Sequence, residues 1–212
     1  MKDSKKECID CDEFKEKVKN RLKNTFRKSN ELEKETILEL LGGLLTYDYE
    51  DYRKIKLANT HFPLLKRPIR YVEVQTNFGT FNIFMRRIFY GKSGTAFHPD
   101  FMIFINRLPK NRENPKPDAI IEIKSGKISG ESHRNFIFQL LVATIDFQPK
   151  IAILVTEKES KSVIQTAIGY DGLLTSYGIE HIIKDDLCNI SDLLNNGVNG
   201  ELTKNKIKSC LR

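Results

Sequence analysis

Apolar residues recur along this chain in two rhythms, and each predicts a kind of element. Over residues 30–45, Ile37, Leu40, Leu41 and Leu44 fall on one face at about 100° per residue, which predicts an amphipathic helix. Asn30 stands as its N-cap, and Glu33 completes the spacing of a capping box. Glu35 and Glu39 fall on the opposite, solvent face, whereas Glu33 falls in the middle of the apolar one. A carboxylate turned inward near a helix start is expensive unless it has a partner.

Alternating and short unbroken apolar runs predict strands. Residues 69–76 and 80–90 read as a hairpin turned at Asn77-Phe78-Gly79, whose glycine suits a left-handed turn position. Residues 100–106 and 116–122 are two further apolar runs around a loop rich in Pro, Asn and Arg, the pattern of a long-looped hairpin. A loop symmetric about Asn111 pairs them antiparallel and sets Asp100 opposite Glu122. Then come a helix over 133–147, apolar on most sides, and an unbroken apolar strand over 150–156. A helix over 160–176, a strand over 179–184 and a short helix over 185–195 follow. The order predicts an α/β fold, a central mixed β-sheet flanked by helices, and an order of this kind resembles the restriction-endonuclease-like core. The chain divides into a charged N-terminal extension (1–29), a core (30–184) and a C-terminal helix with a basic tail (185–212).

Composition narrows the class. At 212 residues, 40% hydrophobic and 30% charged, the chain is expected to be one soluble domain with a real core. No apolar stretch is long enough to span a membrane, and the lysine-rich start lacks the apolar centre of a signal peptide. An intracellular protein without a membrane partner is the expectation. The net charge of +7 suits a polyanion. Residues 1–29 read as a solvated helix or as an arm gripping DNA. Residues 46–70 interleave Tyr47, Tyr49 and Tyr52 with Arg53, Lys54, Lys56, Lys66, Arg67 and Arg70, and Arg86 and Arg87 follow the second strand. This stretch reads as a phosphate-tracking surface or as a solvated connection. Gly91-Lys92-Ser93-Gly94 lacks the phosphate-loop spacing, so no nucleotide cofactor is expected. Cys8 and Cys11 have half of a zinc spacing, but Cys188 and Cys210 stand 22 residues apart. Free thiols are the expectation.

The carboxylates change the picture most. Residues opposed across an antiparallel pair lie about 4.5–5.5 Å apart at Cβ. Asp100 and Glu122 that close repel and desolvate each other unless a cation joins them. Mg²⁺ suits oxygen ligands, keeps several waters and takes one or two protein carboxylates; Mn²⁺ is expected to substitute. Lys124 leaves the strand on the same face as Glu122. It is placed to orient or deprotonate an attacking water, or to hold a phosphate as a point charge. The chemistry so assembled is metal-assisted hydrolysis of a phosphodiester. Asp118 shares that face but stands roughly 13 Å along the strand, so it reads as a strand entry.

Pro99-Asp100, then 21 residues, then Glu122-Ile123-Lys124 resembles the PD-(D/E)xK nuclease superfamily. The three-residue motif alone occurs four times, at Asp3, Glu13, Glu122 and Glu159, and only the Glu122 copy lies in an apolar run. The resemblance implies that Asp100 and Glu122 hold the metal, that the Ile123 carbonyl adds a ligand, and that Lys124 serves the attacking water. Many members carry an acidic residue on the first helix, which implies a catalytic role for Glu33; a cap on its own helix is the other reading. One branch supports its site with a glutamine on the next helix and a tyrosine four residues on. Gln139 holds the first place and Ala143 the second, so Gln139 reads as a core glutamine.

Within the superfamily the chain is similar to small archaeal Holliday-junction resolvases. In length and composition it is similar to a nuclease of archaeal spindle-shaped viruses. The implied function is a metal-dependent DNA endonuclease of replication, recombination or repair. A type II restriction endonuclease and a non-catalytic DNA-binding module with a relic site are the alternatives. Cutting two strands needs two centres, which implies a homodimer. Its expected interface is the 69–90 hairpin, with Phe81, Ile83, Phe84, Ile88 and Phe89, together with the C-terminal helix. The other way to cover that hairpin is the chain's own N-terminal helix.

Overall fold

A computed structural model describes residues 11–27, 29–45, 49–63, 65–125, 130–157 and 178–199. Its centre is a seven-stranded sheet built from β1 (Ile55–Thr60), β2 (Ile69–Thr76), β3 (Gly79–Met85), β6 (Phe101–Ile105), β7 (Ala119–Lys124), β8 (Ile151–Thr156) and β9 (Ile179–Ile183), in that spatial order. Neighbours from β1 to β7 run antiparallel, and β7, β8 and β9 run parallel. A two-stranded ribbon, β4 (Phe89–Tyr90) and β5 (Ala96–Phe97), stands apart. The α/β class and the mixed sheet are therefore as expected.

Both faces of the sheet are covered, which is why its central strands read as unbroken apolar runs. On β6, Phe101 and Ile103 join one core and Met102 and Phe104 the other. The first core is closed by α1 (Cys11–Phe26), α2 (Glu31–Leu44) and α4 (Ile190–Val198). The second is closed by α3 (Gly130–Phe147) through Ile137, Leu140, Leu141 and Phe147. Phe62, Tyr71, Phe84, Phe89 and Phe104 interlock there, with ring centroids 5.1 to 6.3 Å apart.

Several expectations need correction. Residues 11–26 do form the helix that one reading expected, but it is not solvated all round: Phe14, Val18, Leu22 and Phe26, one per turn, are buried in the first core. Lys15 also reaches Glu39 of α2 at 2.6 Å. The connection 46–70 contains strand β1, at the sheet edge. The strand expected over 80–90 stops at Met85, because Arg86 turns left-handed (φ 49°). The apolar residues of that hairpin are consumed within the chain: Phe81, Ile83, Phe84 and Phe89 are buried, and of the five only Ile88 is exposed. Helices α1 and α2 cover one of its faces and the α3 side the other. The helix expected over 160–176 lies outside the described residues, as do Tyr47, Cys8 and Cys210. Among the described residues, no helix is long and apolar enough to cross a membrane.

Candidate active site

The register of the central hairpin brings the acids together. Phe101 pairs with Ile121 and Met102 with Ile120. One step further sets Asp100 opposite Glu122, the alignment that the loop symmetry predicts. Asp100 is fixed there because its Oδ2 accepts the Ile123 N–H at 2.8 Å. On the other side Met85 pairs with Phe101, and the Arg86 N–H donates to the Asp100 carbonyl at 2.9 Å. Arg86, Asp100 and Glu122 thus form one row across three strand ends. Lys124 follows two residues later and donates to Glu122 Oε1 at 2.5 Å.

Glu33 enters from the first turn of α2 and is 2% exposed. It stands at its own helix start, as the cap reading expects. Asn30 Oδ1 caps the helix by accepting the Glu33 N–H at 2.8 Å, and Asn30 Nδ2 donates to Glu33 Oε1 at 2.9 Å. That same Oε1 accepts from Arg86 Nη2, whose guanidinium also lies 3.7 Å from Asp100 Oδ1 through Nε. Glu33 therefore caps its helix and faces the site through an arginine. Glu35, on the opposite face, pairs with Lys184 at 3.0 Å.

Burial dominates the electrostatics. It pushes the Glu122 carboxyl up to about 7, with the Asp100 charge adding and Lys124 opposing. It also raises Asp100, against the Ile123 N–H, Lys124 and Arg86. Glu33 is raised by burial first and by Asp100 second, with Arg86 opposing. Glu122 Oε2 and Glu33 Oε2 are buried without a hydrogen-bond partner. Unpaired buried carboxylate oxygens are expensive, and a hard cation satisfies them. Among the described residues no three His, Cys, Asp or Glu side chains converge as a metal cage. Asp100 and Glu122 remain a two-carboxylate set, which fits an ion that keeps most of its waters. The Ile123 carbonyl belongs to the same strand end.

The acids lie in a cleft of about 1000 Å³ whose lining includes Arg27, Arg67, Arg70, Arg86, Arg87, His98, Lys124 and Gln139. Arg70 and Arg87 lie close enough that, after burial, the Arg70 charge holds the Arg87 guanidinium below its ordinary value. Neither has an acidic partner among the described residues. Arg53, Lys54, Lys56 and Lys66 lie outside the cleft. Lys54 pairs with Asp51 at 2.6 Å, and Arg53 lies 6.0 Å from the Tyr52 ring. Gln139 is exposed and lines the cleft, so the core-glutamine reading fails. Asp118 is the strand entry expected. Its Oδ2 accepts the Ile105 N–H at 2.8 Å and meets Arg107 at 3.0 Å, and its Oδ1 meets Lys150 at 3.2 Å. Sequence reasoning missed His98 and the pairing of Arg86 with the acids, and reached Arg27 only as part of the basic stretch over 1–29. Comparison with family models, curated proteins and solved structures returns no match for this chain.

Proposed function

We propose that this protein is a metal-dependent DNA endonuclease of the PD-(D/E)xK kind, built on a restriction-endonuclease-like core. The observation that carries the reading is the meeting of Asp100 with Glu122 and its paired Lys124 inside an arginine-walled cleft. Asp100 and Glu122, with the Ile123 carbonyl beside them, would hold Mg²⁺ or Mn²⁺, which supplies Lewis-acid polarisation of the phosphodiester. The chain's own side chains do the rest. Lys124, anchored on Glu122, orients the attacking water and stabilises charge on the phosphate. Arg67, Arg70 and Arg87 bind the flanking backbone phosphates, which positions the strand without reading bases. Glu33 acts from behind, through Arg86.

Four-way junction DNA is the proposed substrate, and two chains supply the two cuts. The test is cleavage of plasmid and junction DNA with Mg²⁺, alongside sedimentation, which should give twice the 24.5 kDa of the chain. Asp100→Ala, Glu122→Ala and Lys124→Ala should each lower cleavage by roughly a thousandfold, the scale of losing a transition-state charge stabiliser, while DNA binding persists. Glu33→Gln should lower it in part and Glu35→Gln not at all. Undiminished cleavage by Asp100→Ala, or full activity in excess chelator, overturns the site.

A further inference from the structure

Arg86 is an unusual residue to find where it stands. Its backbone is left-handed (φ 49°), a conformation that costs a non-glycine residue about 1 kcal/mol. It is held there by its own N–H on the Asp100 carbonyl. The result aims one guanidinium at two acids from distant parts of the chain, Glu33 on α2 and Asp100 before β6. The same side chain lines the cleft beside Arg70 and Arg87. A residue serving only to bind phosphate would not be drawn onto two buried carboxylates. A residue serving only to tie α2 to the sheet would not need Asp100.

We infer that Arg86 is a resident cation that competes with the divalent metal for Asp100: guanidinium and metal exclude each other there, and metal entry displaces the Arg86 guanidinium from Asp100 into the open cleft. The inference rests on the nuclease reading of the site and assigns Arg86 a positioning role. Three observations support it. Burial raises the carboxyl of each acid that Arg86 touches, and the Asp100 charge raises Glu33 further, while the Arg86 guanidinium opposes both shifts. The far oxygens, Glu33 Oε2 and Glu122 Oε2, stay unpartnered with Arg86 in place, so one guanidinium does not satisfy the cluster. Arg86 is also half-exposed on its cleft side, with 36% of its side chain open to water, so it has somewhere to go.

Mn²⁺ binding to the whole chain without DNA, by calorimetry or by the electron-spin signal of free Mn²⁺, tests this. The pH is set near 8, above the value of about 7 at which Glu122 ionises. Arg86→Gln should bind Mn²⁺ about tenfold more tightly than wild type, the scale of losing one partly buried ion-pair contact with the competing group. Arg87→Gln removes the same charge one residue away and measures the general field, with an expected change of about twofold. Arg86→Gly is the companion variant, because glycine accepts the left-handed backbone without strain; it should match Arg86→Gln. Equal or weaker Mn²⁺ binding by both Arg86 variants, with wild type still binding, overturns the competition and leaves the nuclease reading standing. Absence of Mn²⁺ binding in wild type and variants alike overturns both. A gain in Arg87→Gln as large as in Arg86→Gln also overturns it, because field alone then accounts for the change.

Discussion

Glu122 sits under two opposed demands. To serve as the proposed metal ligand it must be ionised, and its burial beside Asp100 resists that. The consequence for stability has a definite sign. The folded value of about 7 stands above the ordinary 4.5. Below the lower value both folded and unfolded chains are protonated and nothing changes. Between the two, the folded chain keeps a proton that the unfolded chain releases, so stability falls as pH rises. Above the higher value the penalty stays in full. Glu122→Gln keeps the shape and removes the charge. In chelator it should therefore be more stable than wild type near pH 8, with the advantage fading as pH falls toward 4.5. At ~1.36 kcal/mol per unit, that gap sets roughly 3 kcal/mol as the largest gain. Thermal unfolding across this window checks it, and a wild type that is the more stable of the two at high pH would refute the burial argument. Metal affinity runs the other way and rises as Glu122 ionises.

At the scale of elements, α1 carries a consequence for what can be removed. Its buried positions recur every fourth residue, so one narrow stripe meets the core while lysines and glutamates fill the rest. Phe14→Ala should cost about 3–5 kcal/mol of folding stability, and Lys23→Ala within about 0.5, as read by denaturant unfolding. A detachable extension would show neither difference. This stripe also explains which elements were legible in the sequence. The register of β6 and β7 was legible, because two apolar runs around a symmetric loop fix their own pairing, although β7 begins at Ala119 and runs on to Lys124 instead of spanning 116–122. The α2 helix was legible from its cap and its apolar face. Helix α1 was obscured because four apolar residues among sixteen do not dominate a charged window. Strand β1 was obscured because, at an edge, Lys56 and Asn59 face water and its apolar residues are few. Of the site, Asp100, Glu122 and Lys124 lie on one hairpin and could be read in one dimension. Arg86 was read only as a phosphate contact; its pairing with Glu33 could not be read, because the two are 53 residues apart and nothing local records the approach. The doubled arginine where an apolar run breaks, just upstream of Pro99-Asp100, was the available signal.

For the whole molecule, the cleft divides the basic residues into those with work near the acids and those without. Arg70 lines the cleft with no acidic partner among the described residues, while Arg53 lies outside it. DNA affinity should fall linearly on logarithmic axes with salt, with a slope of about −0.9 per phosphate neutralised on duplex DNA. Arg70→Gln should reduce that slope by about one phosphate and Arg53→Gln should leave it unchanged. Equal effects would mean that the cleft is not the binding surface. The hairpin expected to join two chains is buried within one, so any pairing of active centres must use another face.

The row of strand ends that builds the site also sets an order in time. The Ile123–Asp100 bond closes 23 residues of chain, and the Arg86–Glu33 contact closes 53. The longer closure costs roughly 0.7 kcal/mol more in chain entropy, which favours the hairpin contact forming first. Met102→Ala should therefore slow refolding, whereas Leu32→Ala should mainly speed unfolding. On that schedule the two carboxylates stand side by side before their arginine arrives. If Arg86 and the metal compete as proposed, a chain that refolds in the presence of Mn²⁺ should take up the ion faster than the finished protein does, because nascent Asp100 meets the ion before it meets Arg86.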